Sequence, residues 1–341
     1  GNTHRKYKKA TVKAIDPMLL FRDTALLEGI VTDELTLYAN SQKAGISPPE
    51  KFIRTLNNIS TALLIYIFFG ARFGTERFEV LRRMYEELGP NGAAWVIGDQ
   101  QRKSFYEIRD YLNAQLGKQV IDEDPSWRQS IMGQMHNNGA LDETSLGNLI
   151  YMVEIGRNDL RCLFRWMSKY GAENPEIISR IGTETSRAAL SAGSLSKTFV
   201  LETLRLNQSE RLMRMVSRDI VFDGYHIPKN FMVRLCMWES HKSPDSFDEP
   251  FGFKPERFAK GVGKDQFSPF GMDHHSCPFT DISINLGTLF IRLLARDYEV
   301  DSVADGSPVR DQYHWQPAKT FSVRLNKRFT NQRNTQNTVT V

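Results

Sequence analysis

The chain has 341 residues, 40% hydrophobic and 25% charged, with a net charge of +4. Such a composition is globular and rules out a fibrous or wholly disordered chain. No dense basic block interleaved with aromatics is present, which argues against nucleic acid as a partner.

Cys162, Cys236 and Cys277 are the only cysteines, an odd number without paired spacing. That pattern argues against a disulfide framework or a zinc site and fits a reducing, cytoplasmic setting. The longest apolar run, Ala62 to Phe69, is too short to cross a bilayer and reads as a buried helix end. No signal peptide opens the chain. The basic helix directly after Gly1 reads as an internal start, which leaves room for a membrane anchor in a preceding segment.

Taken in order, apolar residues at helical spacing predict helices over about 3–15, 19–44, 49–69, 75–89, 98–117, 142–171 and 173–190. Pro49 and Pro125 stand where a first helical turn tolerates proline. Asp142 precedes the long helix that runs through Trp166 towards Tyr170, and a further helix past Lys197 ends near Arg205. Asp219 to Phe222 and Phe231 to Cys236 read as short strands, with a turn at Asp223-Gly224. A loop-rich stretch from His241 to Pro269 follows. Ile282, Leu286, Leu289, Phe290, Leu293 and Leu294 then mark one face of a last helix. Residues 327–341 are polar and expected to be a disordered tail. The expectation is one mainly α domain with a small β portion over 1–326.

One cysteine stands in an unusual frame, Phe267-Ser268-Pro269-Phe270-Gly271-Met272-Asp273-His274-His275-Ser276-Cys277-Pro278. Cys277 lies just before a long amphipathic helix, where free backbone N–H groups and the dipole favour a thiolate. A thiolate can ligate haem iron and push electron density onto it. The alternative is a small buried hydrophobe, the usual role of a lone cysteine.

The segment resembles the haem loop of cytochromes P450, Phe-Gly-x-Gly-x-(His/Arg)-x-Cys-x-Gly. Phe270, Gly271, His275 and Cys277 stand at matching places, while Asp273 and Phe279 replace two family glycines. Asp tolerates a left-handed backbone. Phe279 puts bulk where the family keeps the helix start close to the macrocycle. Glu202-Thr203-Leu204-Arg205 resembles the Glu-x-x-Arg of the family's K helix, and Pro255-Glu256-Arg257-Phe258 its Pro-Glu-Arg-Phe segment. The resemblance implies that Glu202, Arg205 and Arg257 form a buried ion network behind the thiolate loop. By itself Glu202-to-Arg205 spacing would also suit an exposed helix pair.

Further matches imply a haem b cofactor with Cys277 as its iron ligand. His4 and Lys8 are similar in place to the C-helix residues that face the haem propionates, Lys8 standing where the family has Arg. Arg214 matches a family arginine that reaches a propionate. Phe69-Gly70 and Tyr225-His226-Ile227-Pro228 extend the match, which begins at the C helix and lacks the fold's earlier part.

The distal helix departs from the family's Ala/Gly-Gly-x-Asp/Glu-Thr-Thr, whose acid and alcohol relay protons to bound dioxygen. Aligned on Trp166, the chain reads Ile155-Gly156-Arg157-Asn158-Asp159-Leu160. Gly156 is kept; the acid becomes Asn158 and the alcohol Asp159. Asp159 is expected to deliver protons in a monooxygenase that uses dioxygen and outside electrons. Two alternatives stand beside it. One is an enzyme without that relay: a peroxygenase, dehydratase or isomerase, with Asn158 orienting the substrate. The other is a non-catalytic homologue.

Glu210 and Arg211 suggest a small, polar specialised-metabolite substrate. They suit equally well two side chains that point to solvent. Arg5, Lys6, Lys8, Lys9 and Lys13 make the first helix basic, which suits docking of an acidic ferredoxin or flavoprotein electron donor. The same run suits a solvated face.

Overall fold

The computed structural model describes residues 2–15, 23–42, 45, 47–89, 97–116, 125–189, 191, 193–207, 211–263, 265–310 and 315–328. Among the described residues, seven helices precede the long central one: α1 Asn2–Ala14, α2 Thr24–Ser41, α3 Pro49–Phe69, α4 Glu76–Leu88, α5 Asp99–Leu116, α6 Pro125–Gln129 and α7 Ile131–Asn137. The central helix, α8, covers Glu143–Glu173. Its start is fixed by a capping box: Asp142 Oδ1 accepts from the Ser145 N–H at 2.8 Å while Ser145 Oγ accepts from the Asp142 N–H at 2.7 Å.

α9 Pro175–Ile181, α10 Ser186–Ala189 and α11 Leu195–Asn207 follow. The single helix expected over about 173–190 is therefore broken. Gly182 passes so close to α13 (Thr280–Asp297) that an added Cβ would stand 2.7 Å from the Ala295 carbonyl oxygen. α11 is capped from outside itself, since Glu184 accepts the N–H groups of Leu195 and Ser196 at 2.7 and 3.1 Å.

The β portion consists, among the described residues, of two-stranded antiparallel ribbons. β1 Arg211–Met215 pairs with β4 Met232–Cys236, and β2 Ile220–Phe222 with β3 Tyr225–Ile227. After α12 Met237–Ser240 and α13, β5 Tyr298–Ser302 pairs with β8 Val323–Lys327, and β6 Pro308–Arg310 with β7 Trp315–Pro317. None of these last four strands was expected, although Tyr298 and Val300 of β5 and Val323 and Leu325 of β8 alternate with exposed polar residues. β8 carries the folded chain through Lys327, and the Arg328 N–H donates to the Asp297 carbonyl at 2.8 Å. The rest of the expected tail, 329–341, lies outside the described residues.

The core lies around α8, which packs on α3, α11 and α13. Phe164 of α8 stacks on Phe290 of α13 at 4.3 Å, and Leu63, Ile67, Leu163 and Leu293 belong to the same apolar cluster. By length and composition α3 is apolar enough to cross a membrane, yet 78% of its most apolar window is buried in the protein. It ends on Gly70 at φ 64°, where a side chain would meet the Ser126 carbonyl at 2.5 Å.

Candidate functional site

The ion network behind the loop forms as a triad. Glu202 and Arg205 are fully buried and bonded through two 2.8 Å contacts, and Arg257 Nε donates to Glu202 Oε1 at 3.1 Å. The remaining donors go to backbone. Arg205 reaches the carbonyls of His241 and Pro250, each at 2.7 Å, and of Gly252 at 3.1 Å; the Lys254 N–H donates to Glu202 Oε1 at 2.8 Å. Buried charge is tolerated here because nearly every donor has a partner. The same cluster holds His241, also fully buried, whose Nε2 accepts the Ser268 N–H at 3.1 Å and so fixes the start of the cysteine loop.

Two left-handed residues shape that loop, Gly271 at φ 76° and Asp273 at φ 49°. Asp is accommodated at the second without glycine. The turn closes where the Cys277 N–H donates to the Phe270 carbonyl at 2.8 Å. Cys277 Sγ accepts the Phe279 N–H at 3.4 Å. α13 begins at Thr280, three residues after the sulfur.

The helix start was expected to hold the thiol low. Burial instead pushes it up, with the Asp159 carboxylate adding to the effect; the Phe279 N–H and Lys8 pull the other way. Desolvation outweighs one long N–H···S bond and the dipole. A coordinated cation deprotonates such a thiol outright.

Cys277 opens into a cavity of about 550 Å³ that Gly156, Asp159, Phe270 and His275 also line. Its other walls are mainly apolar, among them Leu64, Phe68, Leu163 and Ile282. Phe279 lines it as well, its bulk taken up against Phe68 of α3 at 4.9 Å between ring centres. A Cβ on Gly156 would meet Leu64 Cδ1 at 3.1 Å, so α3 as well as the cavity presses on this glycine.

Asn158 is not among the lining residues. It lies on the far face of α8, where Nδ2 donates to the Glu154 carbonyl at 3.0 Å. Beside it is a buried ion pair that the sequence reading missed, Arg157 to Glu154 at 2.6 Å, with Arg157 also donating to the Gly89 carbonyl beyond α4. Spacing of three and four residues on one helix was the available signal.

Cations gather around His275. Its ring stands 5.5 Å from that of His4, and the positive field of Arg214, followed by burial, His4, Lys8 and His274, holds its pKa below the usual value. Lys8 does not simply face the cavity. Its Nζ donates to the carbonyls of His274 at 2.9 Å and Ser276 at 2.6 Å, tying α1 to the loop. Glu210 and the side chain of Arg211 lie outside what the structure describes.

Cys277 and Cys162 both line a mainly apolar cavity, and with cations concentrated at His275 the arrangement around Cys277 is one that would hold a thiolate-ligated haem. The donor set fits the group: one sulfur for the iron, and Arg214, His4 and His275 for two acidic side arms that would satisfy an otherwise repulsive cluster.

Comparison with known proteins agrees. Residues 172–325 match the family model described as Cytochrome P450. Cytochrome P450 81D1 of Arabidopsis thaliana is 28% identical over 176 residues, 48% of this chain and 35% of that protein. Abscisic acid 8'-hydroxylase 1 of the same plant is 29% identical over 172 residues, 46% and 37% of the two chains. Ent-kaurenoic acid oxidase 1, also from Arabidopsis thaliana, is 24% identical over 307 residues, 81% and 62%. Among solved structures, retinoic acid bound cyanobacterial CYP120A1 superposes with a TM-score of 0.75 at 18% identity, over 96% of this chain and 79% of that one. The C-terminal part of the chain, 172–325, is thus similar in sequence to cytochromes P450, and the described residues share the fold of a solved one. The match spans little more than a third of the length of the first two of these curated relatives.

Proposed function

We propose that the chain is the haem-binding part of a monooxygenase that uses dioxygen and external electrons to oxidise a small organic substrate. The observation that carries this reading is that Cys277 and Asp159 line one cavity with largely apolar walls. Haem bound there would supply dioxygen binding and O–O cleavage, assisted by electron density from the thiolate.

The chain's own residues have distinct tasks. Cys277 supplies the ligand sulfur, held by the Phe270 carbonyl contact and the Phe279 N–H. His4, His275 and Arg214 would receive the propionates of the bound group, and Lys8 holds the loop closed from α1. Asp159 stands at the family's alcohol position and its carboxyl hands over a proton, which the amide of Asn158 does not. The apolar walls exclude water and strengthen each polar contact inside.

Abscisic acid 8'-hydroxylase, flavonoid 3'-monooxygenase and ent-kaurenoic acid oxidase are names of relatives that act on small compounds. They support a substrate of specialised-metabolite size, its polarity expected from Glu210 and Arg211. Arg5, Lys6, Lys9 and Lys13 are exposed on α1 and suit an acidic ferredoxin or flavoprotein donor. Three cysteines, an odd number without paired spacing, fit a reducing compartment such as the cytoplasm.

The test is oxygen consumption by the haem-loaded protein with a generic ferredoxin or flavoprotein donor. The reading predicts uptake that needs both donor and substrate. A second reading, chemistry without the dioxygen relay, draws on the displacement of the acid from residue 158 to Asp159. Turnover with peroxide alone, or with no reductant at all, selects it.

A further inference from the structure

Three of the chain's five tryptophans form one cluster that begins at the cavity wall. Trp166 of α8 lines the cavity and is 1% exposed; its Nε1 donates to the Trp315 carbonyl at 2.8 Å. The Trp315 ring stacks on that of Trp238, 5.1 Å between centres and 24° between planes. Trp238 lies on α12 and is partly exposed.

β7, which carries Trp315, is pinned to α8. Arg165 donates to Gln316 Oε1 at 2.9 Å and to the carbonyls of Pro317 and Ala318 at 3.1 and 3.0 Å. The three indoles therefore form a fixed series running from the cavity wall to the protein surface.

From this series we infer a charge-escape route: when an oxidant is activated in the cavity with no substrate to consume it, electrons leave Trp238 and pass through Trp315 and Trp166 to the cavity. The inference rests on the haem reading above. Indole is among the most easily oxidised side chains, and contact stacking joined to a short hydrogen bond gives continuous electronic coupling.

The competing branch is poorer. Trp166 also stacks on Tyr170 at 6.1 Å, but that ring leads on to Phe253 at 4.4 Å, and phenylalanine is hard to oxidise. Burial further raises the Tyr170 pKa, opposing the proton loss that phenol oxidation needs. Along the tryptophan route the Nε1 atoms of Trp238 and Trp315 are buried without a partner, so each indole keeps its proton and passes charge reversibly.

Lys242 Nζ stands 3.6 Å over the Trp238 ring, and its charge would oppose a hole there. Burial first and then Arg205 lower its pKa to about 7, against a weaker opposite effect of Glu239, so above neutrality the ring faces an uncharged amine.

With hydrogen peroxide as oxidant the step balances. Trp238 gives up two electrons and two protons and takes one oxygen from water. Peroxide takes the two electrons and two protons, its O–O bond breaks, and two waters form. The net change is Trp238 plus peroxide to hydroxytryptophan plus water.

The experiment adds hydrogen peroxide, without substrate, to the haem-loaded protein at about pH 8, where Lys242 is mostly neutral, and locates added oxygen by peptide mass spectrometry. We expect one oxygen on Trp238 in the wild type, and its loss to the haem-free background in Trp315→Phe, which keeps the backbone carbonyl but changes the stack. Trp166→Phe gives the same loss if it folds and loads haem. Equal labelling of Trp238 in the haem-free protein, or undiminished labelling in a haem-loaded Trp315→Phe, overturns the route. So does a haem-loaded wild type that gains no oxygen there. A chain that shows no haem absorbance before peroxide is added overturns both this route and the haem reading.

Discussion

Lys8 Nζ lies 2.6 Å from the carbonyl oxygen of Ser276, the residue before Cys277. A side chain near the start of the chain thus closes a loop more than 260 residues away, with the His274 carbonyl as a second acceptor. Hydrogen bonds from a charged donor are worth about 1.5–3 kcal/mol each. Lys8→Met should therefore speed haem loss roughly five- to thirtyfold, taking a net effect of 1–2 kcal/mol. Transfer to a haem-scavenging protein measures it; unchanged release would mean that the loop holds itself closed.

The Glu202–Arg205–Arg257 network gives a second prediction. Removing one partner of a buried pair leaves the other uncompensated, which costs about 3–5 kcal/mol. Arg205→Met should lower the thermal midpoint and abolish stable haem uptake, and Arg257→Met, at the more exposed edge of the network, should do less. Thermal unfolding followed by circular dichroism ranks the two. An equal loss from both would contradict the burial argument.

His241 makes the loop acid-sensitive. Burial first, then Lys242 and Arg205, bring its pKa down from the usual 6.5 to about 4. Its folded value lies below its unfolded one, so the unfolded chain binds the extra proton between them. The stability it contributes is whole above about pH 6.5 and is lost as pH falls towards 4. Protonated, His241 no longer accepts the Ser268 N–H. His241→Gln keeps a neutral acceptor and should flatten that part of the stability profile, read from urea unfolding at successive pH values.

Asp159→Asn removes the transferable proton but keeps size. Product formed per dioxygen should fall by about 100-fold, within the range of general acid catalysis, with peroxide released instead. Asn158→Ala, on the far face of α8, should change coupling little. Intact coupling in Asp159→Asn would contradict the role given to that carboxyl.

Much of this arrangement is legible in the sequence, for physical reasons. Helices declare themselves through periodic apolar residues and proline starts, so Pro49–Phe69 is read to the residue. The buried set of Glu202, Arg205 and Arg257 is legible only through the resemblance to the cytochrome P450 motifs, since spacing alone suits an exposed pair equally well, whereas the left-handed Asp273 follows from its side chain. What sequence could not give depends on neighbours distant along the chain. Phe279 is accommodated only because Phe68 packs against it. Asn158 faces away because helix rotation puts Asp159 on the cavity side. The cysteine looked like a helix-start thiolate, yet burial dominates it. β5 and β8 carry an alternating apolar and polar pattern, but nothing within either segment says that the two pair with each other across the residues between them.

The most direct test of the central claim is an absorption spectrum of the purified, haem-loaded protein after reduction under carbon monoxide. Cys277 as iron ligand predicts the strongly red-shifted Soret band that thiolate ligation produces, and its disappearance in Cys277→Ala. An unshifted band in the wild type, or a shifted one that survives the substitution, would contradict it.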